Sequence, residues 1–189
     1  ILIFLNSTKL VIGTLILNLT VSGLAGFSLA KLYPRGSNAF LVYLLVGVSI
    51  PAQMFILPLF LMWKEFGLMN THLGLIIIYA GLNAPFATFL IRSYMIQLPD
   101  ELFDAAKIDG ARPFEKFRFI TLPLLKRTIL FVFVADTATN FVLMVPMIIL
   151  TKGGPMQSTN VLAFEAYRSG FYYQDWGRSL SIISILTII

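Results

Sequence analysis

Residues 73–91 read LGLIIIYAGLNAPFATFLI, an uncharged apolar stretch that decides the fold class of this chain. A helix needs about 17 to 25 residues to cross the hydrocarbon core of a bilayer. Such a helix satisfies its backbone hydrogen bonds internally, which the lipid environment requires. The stretch therefore predicts a transmembrane helix, with Asn83 and Pro85 inside it.

Two further apolar stretches precede this one and two follow it. The composition also agrees with a chain surrounded by lipid. Apolar residues make up 58% and charged residues 12% of the chain, with a mean hydropathy of +0.85. Soluble domains carry about 25% charged residues. The sequence predicts an all-α fold, a polytopic transmembrane helix bundle with about five spans in one domain covering 1–189. The other four predicted spans are 10–30, 39–62, 128–150 and 179–189, the last ending with the chain.

The predicted span 128–150 contains one charged residue, Asp136. The apolar residues of the span make its insertion into the membrane favourable despite this charge. A central Asp costs about 2.5 to 3.5 kcal/mol. Thirteen Leu, Ile, Phe and Val residues favour insertion by roughly 0.3 to 0.6 kcal/mol each and outweigh that cost. Charged groups in the middle of a transmembrane helix face the interior of the helix bundle or a water-filled cavity. Asp136 and Asn140 therefore either line a pathway or bond to neighbouring helices, and the sequence leaves both interpretations open.

Two more polar residues lie beside prolines inside predicted spans. Gln53 lies between Pro51 and Pro58, and Asn83 is followed two positions later by Pro85. Proline kinks a helix and frees backbone carbonyls, which suits either a transport pathway or a bend in a structural helix. The candidate pathway residues are Gln53, Asn83, Asp136 and Asn140.

The first span carries a stripe of small residues at four-residue spacing, Ser22, Gly26 and Ala30. Small residues let two helix backbones approach closely within a membrane. We expect this stripe to pack against another helix of the same chain, and an interface between subunits is the alternative.

Basic residues predict the orientation in the membrane. Segments 31–38 and 92–127 hold nine of the 14 Lys and Arg residues, and two predicted spans separate them. The positive-inside rule places both in the cytoplasm, so 63–72 and 151–178 face outside. The aromatic residues of 151–178 are typical of a membrane-interface belt. The net charge of +5 is explained by this sorting, and nucleic acid is not a predicted partner.

Several classes of chemistry are excluded by composition. The chain has no cysteine and one histidine, so thiolate catalysis and His-cluster metal sites are excluded. No Gly-Lys pair is present, and a phosphate-binding Walker A loop requires one. We therefore predict no enzyme, no metal site and no cofactor in this chain.

The cytoplasmic segment 92–127 predicts two short helices joined at a glycine. Pro99 followed by two acids suits a helix start, and Gly110 followed by Pro113 suits a helix end. Phe114 and Phe117 then repeat at helical spacing. Two such helices form a compact knob that fits a groove of another protein. The alternative is an amphipathic hairpin on lipid, which the five acids of the segment disfavour.

This segment resembles the EAA loop of permease subunits of ATP-binding-cassette (ABC) importers. The matching residues are Asp-Ala-Ala-Lys-Ile-Asp-Gly-Ala at 104–111, with Leu122 and Pro123 downstream. Asp104 stands where the family has Glu. Residues 67–71 and 74–76 resemble the maltose-type carbohydrate group. The resemblance implies a type I ABC importer permease fold with six spans, so we expect one more span upstream of residue 10. It implies contact with an ATPase subunit through Glu101, Asp104, Ala105, Ala106, Asp109, Gly110, Phe114 and Phe117.

The resemblance also implies the partners of a sugar importer that works by alternating access. These are a second permease subunit, two ATP-binding subunits that hold ATP and Mg, an extracellular or periplasmic solute-binding protein, and membrane lipid. The implied location is the prokaryotic plasma (inner) membrane, as a multi-pass protein. The alternative function is an ion-coupled secondary transporter or channel with Asp136 as the ion site. That alternative explains the long segment 92–127 poorly.

Overall fold

The computed structural model describes residues 2–188, apart from the side chains of Ala52, Ile56 and Pro113. Helices and connecting turns make up this described part of the chain, and it contains no strand. The helices are α1 (Leu2–Phe27), α2 (Ser37–Ser49), α3 (Ile56–Glu65), α4 (His72–Ile96), α5 (Asp100–Ile108), α6 (Pro113–Lys116), α7 (Leu122–Leu124), α8 (Lys126–Val142), α9 (Val145–Leu150), α10 (Leu162–Tyr167) and α11 (Trp176–Ile188).

Two helices are long and apolar enough to cross a membrane. One is α1, which a π-helical turn extends to Leu32, and the other is α4. The helix predicted over 73–91 is therefore confirmed, and Pro85 lies inside it. The apolar helices α2 and α11 are shorter. This arrangement agrees with the predicted all-α helical bundle.

Two predicted spans are interrupted where prolines stop a helix. In the stretch 39–62, α2 ends at Ser49, a 3₁₀ turn follows Pro51, and α3 then begins. In the stretch 128–150, α8 ends at Val142 and α9 begins at Val145. Proline lacks an N–H, and its ring clashes with the carbonyl four residues earlier. For Pro146 that carbonyl belongs to Val142, which is the residue where α8 ends.

Contacts divide the chain into two compact units that each combine separate segments. Unit 1 contains the residues up to Leu17, Ile50–Leu82 and the residues from Ala135 onward. Its core is a buried cluster of Leu10, Trp63, Leu75, Ile78, Tyr79, Met147, Leu150, Val161 and Phe164. The hydroxyl of Tyr79 donates a 2.7 Å hydrogen bond to the Leu143 carbonyl, beside the break between α8 and α9.

Unit 2 contains Asn18–Ser49 and Asn83–Val134, and it includes the segment 92–127. Its buried cluster comprises Ala30, Ala87, Ile91, Met95, Leu125 and Val132. The prediction of one transmembrane domain with a cytoplasmic loop inside it stays a prediction.

The small-residue stripe of α1 packs against α4 within unit 2. Ser22 donates a 3.2 Å hydrogen bond to the Ala84 carbonyl, whose neighbour in the chain is Pro85. A methyl group added at Gly26 would lie 2.9 Å from the Cγ2 atom of Ile91, closer than two carbon atoms pack. The expected packing within one chain is confirmed. We call this contact the α1–α4 seam, and define it by Ser22, Gly26, Ala30, Ala84 and Ile91.

Candidate functional site

The first helix of the segment 92–127 begins as its sequence predicts. Pro99 has an extended ψ of 133° and directly precedes α5. Asp100 and Glu101 occupy the first turn, where their negative charge faces the positive end of the helix dipole. No residue of α5 is buried. The helix therefore forms from local signals and presents its side chains to the surroundings.

The C-terminus of α5 is closed by a Schellman motif at Gly110. The Ala111 N–H donates to the Ala106 carbonyl at 2.8 Å, and the Gly110 N–H donates to the Lys107 carbonyl at 3.1 Å. Gly110 has a φ of +78°, while a methyl group placed on it would meet nothing within 4 Å. Backbone conformation therefore favours glycine at this position, and space around it is ample.

The second helix of the segment starts with one half of a capping box. The Glu115 carboxylate accepts a 2.7 Å hydrogen bond from the Arg112 N–H, three residues earlier. From Pro113 the chain continues through α6, a π-helical turn at Phe117–Thr121 and α7. The predicted second helix is thus built from three short helical pieces.

The predicted contact residues lie on the surface of unit 2, and several of them are apolar. Phe114 is 69% exposed, and Ile108 of α5, an apolar residue outside the predicted set, is 86% exposed. Exposed apolar side chains are a feature of surfaces that contact another protein or lipid. Glu101, Asp104, Ala105, Asp109, Gly110, Phe114 and Phe117 are exposed, and Ala106 is partly buried. We call the exposed part of 99–117 the knob surface. The signal for Ile108 was available, since it lies one helical turn from Asp104.

Among the predicted pathway residues, the structure brings Asp136 and Asn140 together on α8. Both are buried, and the Asn140 amide donates to the Asp136 carboxylate at 3.0 Å and to its carbonyl at 2.7 Å. Gln53 is exposed in the turn after Pro51, and Asn83 is partly buried within α4. The role of these residues in a pathway stays a prediction.

The segment 151–178 combines a buried polar network with exposed aromatic rings. The Glu165 carboxylate accepts from Asn160 at 2.8 Å and pairs with Arg178 at 2.5 Å. The Asn6 amide donates to the carbonyls of Gln157 and Asn160, both at 3.2 Å. These bonds hold the turn at 151–160 in place within unit 1. Exposed rings follow it at Phe171, Tyr172, Tyr173 and Trp176.

Apolar helices of spanning length, helices interrupted by proline and an exposed helix–glycine–helix segment agree with the predicted helical membrane permease. The family described as the binding-protein-dependent transport system inner membrane component matches residues 22–189, and the chain belongs to it. Members of this family depend on a binding protein, as its description states. The alternative of an ion-coupled secondary transporter or channel is therefore wrong.

Two curated relatives illustrate the similarity. The multiple sugar-binding transport system permease protein MsmG of Streptococcus mutans is 32% identical over 193 residues, covering 98% of this chain and 68% of the relative. The diacetylchitobiose uptake system permease protein NgcG of Streptomyces coelicolor is 35% identical over 121 residues, covering 64% of this chain. The chain spans 40% of the length of NgcG.

A solved structure has the same fold. It is the crystal structure of a bacterial ABC transporter involved in the import of the acidic polysaccharide alginate. Its similarity has a TM-score of 0.72, with 20% identity, over 89% of this chain and 57% of that chain. The predicted ABC importer permease fold is thereby confirmed.

Proposed function

We propose that this chain is part of the permease subunit of an ATP-driven importer for a sugar or oligosaccharide. The observation that carries the proposal is the knob surface, an exposed helix–glycine–helix segment that coincides with the EAA-like motif. Family membership supports the importer class. The names of the relatives, which specify multiple sugars and diacetylchitobiose, support a carbohydrate as the substrate.

The knob surface docks in a groove of an ATP-binding subunit. Its apolar side chains, led by Phe114 and Phe117, lose water on docking, which is the main favourable term in association. Glu101, Asp104 and Asp109 contribute negative charge that selects a basic groove. ATP and Mg are bound and ATP is hydrolysed in the partner subunits, and closure of those subunits moves the knob.

The complete assembly contains a second permease subunit, two ATP-binding subunits and an external solute-binding protein. Within this chain, Asp136 and Asn140 offer a buried polar pair in the C-terminal half of α8 that suits hydrogen bonding to a sugar. Gln53 and Asn83 contribute further polar groups at proline-containing positions. The turn at 151–160 and the exposed rings after it face the external side, where the binding protein and lipid headgroups lie.

The protein is multi-pass in a prokaryotic inner membrane, with the knob surface in the cytoplasm. Single cysteines at Lys107 and Met156 test this orientation. Met156 is 98% exposed, whereas Thr159 in the same turn is buried and would label poorly. We expect an impermeant maleimide on intact cells to label the cysteine at position 156 alone. Labelling of both positions under those conditions would contradict the orientation.

The decisive test of function uses the complete protein, assembled with its partner subunits in proteoliposomes. We expect uptake of a labelled oligosaccharide when ATP is present on the knob side and the binding protein on the other side. Omission of either should abolish uptake, and an imposed proton or sodium gradient should not replace ATP. Gradient-driven uptake without ATP would overturn the proposal.

A further inference from the structure

Two basic side chains cross between α1 and α4 where the segment 92–127 leaves the membrane helices. Lys31 lies in the π-helical turn that ends the first helix, and its ammonium donates to the Leu98 carbonyl at 2.8 Å. Arg92 lies in α4, and its guanidinium donates in the opposite direction, to the Leu29 carbonyl at 3.4 Å. Each helix thus supplies a cation to a carbonyl at the C-terminal end of the other.

The sequence explains why these two carbonyls are available. The last carbonyls of a helix have no partner within that helix. The Leu29 carbonyl lies five residues before Pro34, which has no N–H to donate, and the Tyr33 N–H is taken by the Ser28 carbonyl at 3.2 Å.

At the other end, the Leu102 N–H points to the Pro99 carbonyl at 3.4 Å, which leaves the Leu98 carbonyl for Lys31. Basic side chains near a helix C-terminus satisfy such groups and interact favourably with the dipole.

Lys31 makes two further contacts with the start of α5. Its ammonium lies 2.6 Å from the Asp100 carboxylate and 5.0 Å from the ring centroid of Phe103. The Lys31 side chain is 12% exposed, whereas that of Asp100 is 82% exposed. A cation this buried requires partners, and a carboxylate this exposed is largely screened by water. The Leu98 carbonyl is therefore the contact that matters most.

We propose that Lys31 and Arg92 are positioning residues that hold the entrance of the segment 92–127 rigidly against the ends of α1 and α4. Because each helix end is bonded to a side chain from the other helix, a displacement of α5 by an ATP-binding subunit moves α1 and α4 together. The inference rests on the proposed function for its coupling role. Its structural part, a locked corner at Gln97–Pro99, can be measured independently.

The test compares Lys31→Met, Lys31→Arg and Asp100→Asn in the complete assembled transporter. Hydrogen exchange of the backbone amides of residue 98 and residues 100–103 measures opening of the turn at Gln97–Pro99, since Pro99 has no N–H. Transport coupling is measured as oligosaccharide imported per ATP hydrolysed. A charge-assisted hydrogen bond in a partly buried place changes such an opening by roughly ten- to a hundredfold.

We expect Lys31→Met to raise exchange at 98–103 by about that factor and to lower the coupling ratio, with the ATP-binding subunits still attached. Lys31→Arg should restore both measurements. Asp100→Asn should change exchange by no more than about fivefold, because its ion pair is exposed. Should Lys31→Met fail to assemble, Lys31→Gln keeps a neutral donor and should show the same changes at smaller size.

Unchanged exchange and an unchanged coupling ratio in Lys31→Met would overturn the inference. An effect of Asp100→Asn on exchange as large as that of Lys31→Met would overturn the assignment to the Leu98 carbonyl. Failure of the proposed function has a different signature: the unsubstituted assembly would then show no ATP-dependent uptake, while the exchange of 98–103 still reports on the corner.

Discussion

The α1–α4 seam and the knob surface belong to the same unit, yet they differ in what holds them. In the seam, Ser22 and Ala30 are almost completely buried, and backbones approach at a glycine. On the knob surface no residue of α5 is buried, and Ile108 is 86% exposed. The difference indicates that the chain fixes the seam by its own packing, while the knob surface leaves its apolar side chains exposed, as the proposed docking requires.

Energetics support this distinction. Burial of apolar surface stabilises a protein by about 25 cal/mol per Å². The exposed rings of the knob surface therefore contribute little to the free energy of folding. Helix α5 forms without such burial, because the acids of its first turn and the Schellman motif at Gly110 stabilise its two ends. Substitutions in the two regions should therefore have opposite signatures: lost assembly for the seam, and lost coupling with intact assembly for the knob.

The largest effect is expected for Gly26→Leu in the seam. Its added atoms would meet the Ile91 side chain at 2.9 Å and the Arg92 backbone nitrogen at 3.3 Å, so the helices must separate. Overpacking of this kind costs about 1 to 3 kcal/mol. We expect a clear loss of folded protein in the membrane, measured by thermal unfolding monitored by size-exclusion chromatography.

Gly23→Leu is the matched control for this change. Gly23 lies on the same helix, but a methyl group placed on it would meet nothing within 4 Å. We expect its unfolding temperature to stay close to that of the unsubstituted protein. Equal destabilisation by the two substitutions would show that the seam is not the closely packed contact described above.

A smaller effect on stability, with a large effect on transport, is expected for Gly110→Val. The left-handed backbone at φ +78° costs a residue with a Cβ about 1 to 2 kcal/mol, and no steric clash adds to it. The spans should remain inserted while the knob is misplaced. Uptake should fail, and the ATP-binding subunits should detach or hydrolyse ATP without responding to the binding protein.

Two variants sharpen that prediction. Gly110→Asn should retain most transport, since Asn tolerates the left-handed region. Gly36→Val introduces comparable strain at φ +89°, also in open space but outside the predicted contact set. We expect Gly36→Val to transport normally, and a loss of uptake equal to that of Gly110→Val would show that strain alone is responsible.

Asp136→Asn tests whether the buried Asp136 has a structural role, like the buried residues of the seam, or lines the transport pathway. The substitution keeps an acceptor for the Asn140 amide, whose bond to the carboxylate is 3.0 Å long, and it removes the charge. If Asp136 lines the pathway, uptake should change by about tenfold or more while assembly is retained. If it joins helices, assembly should weaken instead. Normal uptake together with normal assembly would reject both roles.

Features set by residues close together in the chain were predicted from the sequence, whereas features set by distant residues were not. The helix start at Asp100, the helix end at Gly110 and the stripe of α1 follow from local spacing, because each device acts within a few residues. A kink beside Pro51 was expected, but full interruptions at Pro51 and Pro146 were not. Sequence does not separate these cases from Pro85, which the structure accommodates inside a long helix. Lys31 was counted only among the basic residues that set the membrane orientation, since its contact with Leu98 joins positions distant in the chain.

The smallest effect on stability is expected on the knob surface, where Phe114→Ser and Phe119→Ser form a matched pair. Both rings are 69% exposed, so either substitution should change stability by less than about 0.5 kcal/mol.

Phe114 belongs to the predicted contact set and Phe119 does not. A buried aromatic anchor contributes about 2 kcal/mol or more to an interface, and we therefore expect Phe114→Ser to weaken binding of the ATP-binding subunit roughly thirtyfold. Phe119→Ser should bind almost as tightly as the unsubstituted protein. Affinity measured with the permease in nanodiscs separates the outcomes: equal weakening would extend the contact to Phe119, and weakening by Phe119→Ser alone would place the docking surface elsewhere on the segment.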